Sequence, residues 1–333
     1  MRIGLSFDAK PREAVLPKGA PDDLFEEYDP EETVAAIEGA IVECGHEVVR
    51  LGGGRDFLEK VLGERLDFVF NIAEGRGTYR SREGQIPSVL EMLGIPYSFS
   101  DPLTLAISLD KPLTKRMVSD AGVAVADEWV VTTPQDLEAL CAAPPGFPLF
   151  AKPAFEGSSK GVRNSSLLRS AAELESRVGP MLSHYRQPVL VETFIEGDEY
   201  TVGVLGNDPP EAVGAVRVRP KRGPDPFFVY SVEAKRDWQN QLAYDVPPPI
   251  RGEALARLYS DAVKAFRAIG CRDVARVDFR MRNGTPVFME INPLPGLSPA
   301  YGDLPLLAKG MGMGYPELMR RMLSAAFDRC GLS

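Results

Sequence analysis

Strand and helix patterns alternate over the first hundred residues, and this alternation constrains the fold more than any other feature of the sequence. Short apolar runs predict four strands in this stretch, over residues 1–7, 46–51, 66–73 and 95–99. Helical spacing occurs between them, as in Val34, Ile37 and Ile41, which precede the helix-ending Gly45. Strands separated by helices form parallel βαβ units, so we expect a small doubly wound domain over residues 1–100.

The pattern changes after about residue 101, where two helical segments lead into more closely spaced strands. The stretch over residues 219–249 is rich in proline, glycine and charge, and we expect a long lid or binding loop there. A helix over residues 252–269, a hairpin and a C-terminal helix complete the chain. We therefore predict a central subdomain over residues 101–186 and a C-terminal subdomain over residues 187–333.

Composition and charge exclude several classes of protein. The 333 residues carry a net charge of -9, whereas a nucleic-acid-binding protein usually presents a basic surface, so we expect no nucleic-acid partner. No apolar run approaches the roughly 20 residues that span a bilayer. The N-terminus lacks a signal-peptide pattern, so we expect a cytoplasmic protein with no membrane partner. The four cysteines are scattered and only two histidines occur, which favours chemistry based on carboxylates, lysines, arginines and a hard metal ion.

The first motif with chemical meaning covers residues 150–162. An apolar strand leads to Lys152, and Gly157, Ser158, Ser159 and Gly161 follow in a short loop. Backbone N–H groups and hydroxyls in such a loop bind phosphate oxygens, and a lysine at the strand end adds a positive charge. The motif lacks the spacing of a P-loop or of a dinucleotide-binding fingerprint. A flexible surface turn is the alternative interpretation.

The second motif covers residues 189–202. Glu192 and Glu199 lie on either side of a predicted strand break at Glu196 and Gly197. A strand that leaves its sheet frees backbone groups to pair with an adenine edge, and a carboxylate a few residues later can accept from ribose hydroxyls. Two exposed acids on a strand are an equally simple interpretation.

A β-hairpin over residues 274–292 carries the third motif. Side chains alternate along a strand, so Arg276 and Asp278 share one face, and Glu290 and Asn292 share a face of the return strand. A two-residue turn would pair Asp278 with an apolar residue. A three-residue turn through Thr285 keeps polar and apolar faces apart, so we predict that register. The predicted pairs are Arg276–Asn292, Asp278–Glu290 and Phe279–Met289.

Opposed carboxylates in this hairpin predict a metal site. Two acids directly across from each other repel one another unless a cation is present. Asp278, Glu290 and Asn292 offer the oxygen ligands that Mg²⁺ prefers, with substrate phosphates completing its coordination. A solvated charged face is the alternative interpretation.

The order of these motifs resembles that of the ATP-grasp superfamily and, within it, of the D-alanine–D-alanine ligases. The resemblance extends from about residue 70 to the C-terminus. The matching segments are LDK at 109–111, KP and EGSS within 152–159, VETFIEGDE at 191–199, EAK at 233–235, RVDF at 276–279, and MEIN with PG within 289–296. It implies an ATP-grasp fold of the α/β class with α+β lobes, preceded by an N-terminal doubly wound βαβ (pre-ATP-grasp) domain.

The resemblance also implies an activity and its cofactors. ATP would phosphorylate a carboxylate, an amine would attack the acyl phosphate, and ADP and phosphate would be released. The implied cofactors are ATP and two Mg²⁺ ions, which Mn²⁺ can replace. The implied partners are small-molecule substrates of the amino acid type, one supplying the carboxylate and one the amine. Members of the family are often homodimers, so a homodimer is a further expectation.

The resemblance assigns a role to each motif residue of this sequence. It implies nucleotide binding by three lysines, a loop serine, an adenine-binding hinge and a ribose-binding carboxylate: Lys111, Lys152, Lys235, Ser159, Glu192, Phe194, Ile195 and Glu199. It implies that Arg276 and the backbone of Gly296 stabilise the tetrahedral intermediate, and that Ser158 is the family's catalytic loop serine. Asp278, Glu290 and Asn292 resemble the magnesium ligands.

The sequence departs from the family at positions that contact the amino acid substrates. Glu74 stands in place of a histidine, Arg236 in place of a tyrosine, and Tyr301 in place of a serine. In the early segment, residues 8–30, the glutamate that would bind the first ammonium group cannot be assigned. We therefore expect a ligase with a different substrate pair; a true D-alanine–D-alanine ligase of cell-wall synthesis and a catalytically silent nucleotide-binding protein are the alternatives. Three arginines could bind an anionic substrate group or simply face solvent: Arg80, Arg82 and Arg236.

Overall fold

Three β-sheets organise the chain in the computed structural model, which describes residues 1–11 and 16–332. The first sheet is parallel, with strand order β2-β1-β3. Its strands are β1 (Arg2–Ser6), β2 (Glu47–Arg50) and β3 (Phe68–Asn71). The predicted parallel βαβ arrangement is confirmed. The fourth predicted strand is reduced to one bridge between Val69 and Tyr97, because Phe99 turns the chain with a φ of 70°.

Helices pack this first sheet into a lobe that includes both ends of the chain. The connecting helices are α1 (Glu31–Glu43), α2 (Gly54–Gly63) and α3 (Gln85–Leu93). Val34, Ile37 and Ile41 are fully buried, as their helical spacing predicts. The same core contains Leu318 and Met322 of the C-terminal helix. The chain therefore returns to its N-terminal sheet.

The second sheet is antiparallel, with strand order β4-β7-β5-β6. Its strands are β4 (Glu128–Val131), β5 (Leu149–Pro153), β6 (Leu167–Leu168) and β7 (Val189–Thr193). Helices α6 (Pro134–Ala142) and α7 (Ala171–Tyr185) pack on it. Helices α4 (Pro102–Leu109) and α5 (Lys111–Asp120) precede β4 in the chain and pack against the third sheet. The predicted boundary between residues 186 and 187 lies just before β7, which pairs with both β4 and β5. The division into three subdomains stays a prediction.

The third sheet is also antiparallel, with strand order β10-β9-β8-β11-β12. Its strands are β8 (Glu199–Leu205), β9 (Glu211–Pro220), β10 (Leu242–Asp245), β11 (Val274–Arg282) and β12 (Thr285–Asn292). Helix α10 (Gly252–Ala268) packs on it through Leu258 and Phe266. Helices α11 (Asp303–Gly310) and α12 (Tyr315–Cys330) end the fold. Among the described residues, no helix is both long and apolar enough to cross a membrane.

The stretch over residues 219–249 contains regular structure, so the prediction of one long loop is wrong. Short helices α8 (Val232–Arg236) and α9 (Trp238–Gln241) precede β10, which pairs with β9. The Ser231 hydroxyl caps α8 by accepting from the backbone N–H of Ala234. Tyr230 and Trp238 pack beside the buried Leu242. These apolar contacts hold the segment against the sheet despite its polar composition.

The hairpin has the predicted carboxylate pairing but not the predicted turn. Asp278 lies opposite Glu290, and Arg276 lies opposite Asn292. The turn has two residues, Asn283 and Gly284, with φ values of 52° and 79°. Both are left-handed conformations that these residue types adopt readily in a tight hairpin. The prediction of a three-residue turn is therefore wrong.

A β-bulge produces the shift in strand register that the sequence analysis attributed to a three-residue turn. The register changes between Asp278 and Phe279, and Phe279 pairs with Phe288 instead of the predicted Met289. A bulge places one extra residue on one strand and redirects its side chain. Met289 lines a cavity beside Glu290. The polar and apolar faces are thus separated by a bulge within β12.

Candidate active site

Two neighbouring cavities lie beside the second and third sheets, and both have Tyr230 in their walls. The first cavity contains most of the predicted nucleotide and metal residues: Lys111, Lys152, Ser159, Glu192, Phe194, Ile195, Glu199, Asp278 and Glu290. The second cavity has a volume of about 560 Å³ and contains the remaining predicted residues: Ser158, Lys235, Arg276, Asn292 and Gly296. Motifs that are distant in sequence are therefore brought together around two adjoining spaces.

A buried cluster of two lysines and one carboxylate borders the first cavity. Lys152 Nζ lies 2.7 Å from Glu192 Oε2, and Lys115 donates to the other carboxylate oxygen. Burial favours the neutral carboxyl, but the two ammonium groups outweigh it and lower the pKa of Glu192 to about 2. The Glu192 side chain is thus engaged by lysines and positions Lys152. A hinge role for Glu192, Phe194 and Ile195 stays a prediction.

Lys115 is a residue of this site that the sequence argument missed. Its side chain is 1% exposed and also lies 3.0 Å from Glu128 Oε2. One feature of the sequence points to Lys115: it lies four residues after Lys111, so both share one face of a predicted helix. A buried lysine needs carboxylate partners. Such a spacing therefore predicts an acidic residue on a neighbouring element.

Aromatic side chains form the apolar wall of the first cavity. The ring of Phe194 stacks on Phe227 at a centroid distance of 6.1 Å and lies 6.1 Å from Phe150. The guanidinium of Arg280 lies 4.6 Å from the centroid of the Phe194 ring. Aromatic surface beside a group of cations suits a ligand that combines a flat ring with phosphates. The residues of the first cavity therefore fit ATP.

Lys111 and Lys152 supply two cations to this cavity. Lys111 Nζ donates to the carbonyl oxygen of Glu156 and lies 3.7 Å from Glu290 Oε2. Burial lowers the pKa of Lys111, and Glu290 counteracts part of that effect. Two lysines at one cavity provide the charge neutralisation that phosphoryl transfer requires.

The opposed carboxylates of the hairpin, the buried Asp278 and the partly exposed Glu290, share one guanidinium. Arg276 Nη2 lies 2.8 Å from Asp278 Oδ2 and 3.7 Å from Glu290 Oε1. The Thr201 hydroxyl donates a 2.8 Å hydrogen bond to Asp278 Oδ1. Burial raises the pKa of Asp278; Arg276 opposes this effect and Glu290 adds to it. A cation between the carboxylates would relieve their repulsion.

The donor set of this hairpin fits Mg²⁺ held together with nucleotide phosphates. Within residues 1–11 and 16–332, no three His, Cys, Asp or Glu side chains form a group that could hold a metal by themselves. The predicted set contains only two carboxylates and the amide of Asn292. Magnesium is usually held by one or two carboxylates, and phosphates and water complete its shell. Asn292 lines the second cavity, so the three side chains border both cavities.

Glu199 and Lys235 occupy different cavities, although the resemblance gives both a nucleotide role. Glu199 begins β8 and lines the first cavity, where Arg280 Nη1 lies 4.0 Å from its carboxylate. Burial raises the pKa of Glu199 to about 7 against the opposing effect of Arg280. Lys235 lines the second cavity, and its Nζ lies 4.5 Å from the centroid of the Tyr230 ring.

The glycine- and serine-rich loop after β5 reaches both cavities. Ser158 and Ser159 adopt left-handed φ values of 48° and 61°. Ser159 lines the first cavity and donates a 3.2 Å hydrogen bond to the carbonyl of Tyr230, whereas Ser158 lines the second cavity. The backbone N–H of Gly157 donates to Glu27 at 2.9 Å. The loop is therefore part of the cavity walls, which the alternative of a flexible surface turn does not predict.

Arg276 is held at the second cavity by carboxylates on two elements. Besides Asp278, its Nη1 lies 3.3 Å from Asp303 Oδ2 at the start of α11. The Tyr230 hydroxyl donates a 3.0 Å hydrogen bond to the other oxygen of Asp303. Gly296 belongs to the same cavity wall. This arrangement fixes a guanidinium beside a backbone segment, as stabilisation of an oxyanion requires.

A charge cluster between the N-terminal lobe and the loop after β5 also borders both cavities, and the sequence argument did not find it. Arg82 Nη2 lies 2.7 Å from Glu27 Oε1 and 3.1 Å from Glu156 Oε2. Lys160 contacts the same two carboxylates at 3.1 and 2.5 Å. Burial opposes ionisation of Glu27, but Arg82 and Lys160 lower its pKa to about 2. The members come from three distant segments, and no local spacing relates them.

The arginines considered for an anionic substrate group are all paired within the protein. Arg82 belongs to the cluster just described. Arg80 Nη1 lies 3.0 Å from Asp110 Oδ2. Arg236 lies 2.9 Å from the carboxylates of both Asp22 and Glu26, in the early segment. Residues 12–15 of that segment lie outside the described residues.

Solved structures share this architecture over nearly the whole chain. The D-alanine–D-alanine ligase of Bacillus anthracis complexed with ATP matches with a TM-score of 0.73 and 22% identity, covering 100% of this chain and 99% of that chain. The VanG D-Ala:D-Ser ligase of Enterococcus faecalis matches with a TM-score of 0.74 and 22% identity, covering 98% of this chain and 99% of that chain. These likenesses establish the ATP-grasp fold. The fold thus defines the class of proteins to which the chain belongs, those built on the ATP-grasp fold.

Sequence comparison identifies the family within that class. The family described as D-ala D-ala ligase C-terminus matches residues 117–324. The D-alanine–D-alanine ligase of Syntrophotalea carbinolica is 33% identical over 294 residues, which cover 88% of this chain and 90% of that protein. The chain therefore belongs to the D-alanine–D-alanine ligase family.

Proposed function

We propose that this ligase joins a carboxylate to an amine through an acyl phosphate, and that its substrates are not two D-alanines. The observation that carries the reaction is the convergence of Lys111, Lys152, Asp278 and Glu290 on one cavity, with Arg276 at the adjoining one. The lysines that would bind the nucleotide phosphates and the oxygen atoms that would bind Mg²⁺ thus lie next to a cavity large enough for amino acids.

Charge neutralisation and positioning are the main contributions of the protein in this reaction. A substrate carboxylate oxygen attacks the terminal phosphorus of ATP, and ADP leaves. Lys111 and Lys152 balance the charge of the phosphate oxygens, and Glu192 keeps Lys152 in place. Asp278, Glu290 and Asn292 would hold Mg²⁺, which supplies further neutralisation of phosphate charge when it is bound.

The second half of the reaction takes place at the second cavity. The amine attacks the acyl carbon, and phosphate leaves with the oxygen that came from the carboxylate. Arg276 and the backbone of Gly296 stabilise the oxyanion of the tetrahedral intermediate. Arg276 is suited to this role because Asp278 and Asp303 fix its orientation before the charge develops.

The walls of the second cavity support a substrate pair other than two D-alanines. Each of the three departures from the family pattern, Glu74, Arg236 and Tyr301, lies in this wall. The first cavity retains the matching nucleotide positions apart from Lys235, which lines the second cavity. Changes confined to the substrate side alter which molecules are joined without altering how ATP is used.

A true D-alanine–D-alanine ligase is the second candidate. It is favoured by the names of relatives that share about a third of their residues with this chain, such as the 33% identical enzyme of Syntrophotalea carbinolica. The VanG neighbour, named for D-alanine and D-serine, illustrates that one fold serves different pairs. The magnesium requirement, its replacement by Mn²⁺ and a homodimeric state stay predictions.

A substrate-panel assay of ADP release tests this proposal. Pairs of amino acids of both configurations are supplied with ATP and Mg²⁺, and the Lys152→Met variant gives the background of contaminating ATPases. We expect a pair other than D-alanine alone to give the fastest release above that background. Comparable release with D-alanine alone would favour the second candidate, and no release with any pair would favour a catalytically silent protein.

A further inference from the structure

Arg280 is a buried charged residue of the first cavity that the reaction described above does not use. Its side chain is 4% exposed and lines this cavity. Within residues 1–11 and 16–332, its closest carboxylate is that of Glu199, which lies 4.0 Å from Nη1. Buried charges are normally paired at hydrogen-bonding distance. A buried cation without such a partner, in the wall of a cavity, is suited to a ligand group that enters from outside.

Three contacts hold the guanidinium of Arg280 in place. Its Nη2 donates to the carbonyl oxygens of Gly197 at 2.7 Å and of Phe228 at 2.9 Å. The guanidinium carbon lies 4.6 Å from the centroid of the Phe194 ring. Gly197 is held in turn, because its N–H donates to the carbonyl oxygen of Pro226 at 3.2 Å. In the part of the chain that the structure describes, Nε and Nη1 have no hydrogen-bond partner, so Nη1 remains a free donor beside Glu199.

Glu199 is the carboxylate that can act together with this donor. The other two acids near Arg280 each pair with a different arginine: Asp198 with Arg217, and Asp225 with Arg222. The 4.0 Å between Nη1 and the Glu199 carboxylate is too long for a direct hydrogen bond. A hydroxyl can bridge this gap, because its oxygen accepts from a guanidinium and its proton goes to a carboxylate, each over about 2.8 Å.

The position of Arg280 along its strand indicates which hydroxyl reaches it. Asp278 and Arg280 are two residues apart in β11, in unbroken register with β8, so their side chains share a face about 7 Å apart. Asp278 marks the end of the cavity proposed for phosphates and magnesium, whereas the Phe194 ring belongs to its apolar wall. In ATP the sugar lies between the base and the phosphates. A hydroxyl that meets Arg280 between these two ends therefore belongs to the sugar.

We propose that Arg280 determines nucleotide specificity, and that together with Glu199 it binds the 2′- and 3′-hydroxyls of ribose. One hydroxyl accepts a hydrogen bond from Nη1, and its neighbour donates to the Glu199 carboxylate. The ligand class is a ribonucleoside phosphate, and deoxyribonucleotides bind more weakly. The assignment rests on the proposed ligase function, which places ATP in the first cavity, and it adds a selection for the sugar.

Calorimetric titration of three nucleotides tests this assignment without turnover. ADP, 2′-deoxy-ADP and 3′-deoxy-ADP are titrated into the full-length protein in the presence of Mg²⁺. A hydrogen bond from a charged donor changes affinity by roughly tenfold or more. We expect the unmodified protein to bind ADP more tightly than the deoxy analogues by this factor. Arg280→Met should abolish the preference for one of the two hydroxyls.

The ratio of two affinities separates a hydroxyl contact from a structural defect. Loss of the carbonyl contacts of Arg280 alone would weaken ADP and its deoxy analogues equally, so the ratio would not change. Arg282→Met is the matched control, since Arg282 lies two residues further along β11, is exposed and lines neither cavity. It should keep both the affinity and the preference.

Arg280→Lys provides a second variant in case Arg280→Met does not fold. The single lysine nitrogen can take the place of Nη2 and bind the two carbonyl oxygens, which leaves the position of Nη1 empty. We expect this variant to have a thermal unfolding midpoint near that of the unmodified protein and to lose the same preference.

The remaining outcomes distinguish failure of this assignment from failure of the ligase function. The same preference in the unmodified protein and in the folded Arg280 variants would overturn the assignment, as would equal binding of all three nucleotides to the unmodified protein. No binding of ADP at all would contradict the proposed function itself. If a preference that depends on Arg280 is found but no substrate pair releases ADP, the assignment stands and the ligase function does not.

Discussion

The ammonium group of Lys152 on β5 lies 2.7 Å from a carboxylate oxygen of Glu192 on β7. Lys115 contacts the other oxygen from helix α5, so one buried carboxylate pairs with two lysines, of which Lys152 lines the first cavity. This contact joins two sequence motifs that the family resemblance treats as separate. The ionisation state of Glu192 therefore affects the stability of this cluster.

The stability contributed by Glu192 should depend on pH. Its pKa is lowered to about 2 in the folded protein, since the two lysines outweigh the effect of burial. The unfolded chain therefore takes up a proton at a higher pH than the folded protein does. The stabilisation is complete above the ordinary glutamate pKa of about 4.3 and is lost as the pH falls toward 2.

Urea unfolding of the unmodified protein and of Glu192→Gln measures this effect. We expect the variant to be less stable at pH 7, because it removes the carboxylate that pairs with Lys152 and leaves Lys115 with Glu128 alone of its two carboxylate contacts. The difference should shrink by pH 3. Glu211→Gln, on an exposed strand end, is the control and should show no such trend. A difference that stays constant between pH 7 and pH 3 would show that Glu192 is not ionised in the folded protein.

The hairpin carboxylates should be required for catalysis rather than for folding. Asp278→Ala and Glu290→Ala each remove an oxygen ligand and also leave Arg276 with fewer partners. We expect turnover to be abolished and Mg²⁺-dependent ATP binding to be lost, with the circular dichroism spectrum unchanged. Near-normal activity in either variant would contradict the metal assignment.

Arg236 should restrain the segment over residues 219–249 by its contacts with the early segment. Its guanidinium lies 2.9 Å from the carboxylates of Asp22 and Glu26, and the side chain is 40% exposed. Exposed ion pairs contribute about 0–1 kcal/mol each, so Arg236→Ala should change global stability little. Limited proteolysis within residues 219–249 should become several-fold faster.

Arg222→Ala provides a control for that experiment. Arg222 lies in the same segment, is 77% exposed, and pairs with Asp225, three residues along the chain. Its removal should leave the cleavage rate near that of the unmodified protein. If cleavage became equally faster in both variants, the cause would be the loss of a positive charge in general rather than the loss of a restraint by Arg236.

Two glycines should respond oppositely to alanine. Gly284, in the hairpin turn, has a φ of 79°, which strains any L-residue, so Gly284→Ala should destabilise the protein by about 1 kcal/mol. Gly39 lies within α1, and a Cβ there meets nothing within 4 Å. Gly39→Ala should therefore stabilise the protein by about 0.5–1 kcal/mol. Chemical denaturation measures the free energy of unfolding of both variants. If Gly284→Ala stabilised the protein, that result would contradict the left-handed conformation of Gly284 in this turn.

Local sequence patterns predict the parts of this molecule in which neighbours along the chain also act together. The burial of Val34, Ile37 and Ile41 follows from helical spacing. The pairing of Asp278 with Glu290 follows from strand alternation, because one face of the hairpin must be apolar. The turn was predicted wrongly, since a two-residue turn with a bulge and a three-residue turn give the same pairing at Asp278.

Contacts between distant segments could not be predicted in this way. Lys160 meets Glu27, and Arg82 meets Glu156, only because the loop after β5 packs against the N-terminal lobe. Regular structure over residues 219–249 depends on aromatic contacts with the third sheet, which composition alone does not reveal.

Transfer of a labelled oxygen tests the central claim most directly. A substrate pair found by ADP release is supplied with its acyl donor labelled with ¹⁸O in the carboxylate, and the released phosphate is examined by mass spectrometry. Because the carboxylate oxygen that attacks ATP leaves with the phosphate, we predict ADP and phosphate that carries one ¹⁸O. Unlabelled phosphate, or AMP and pyrophosphate as products, would contradict an acyl phosphate intermediate.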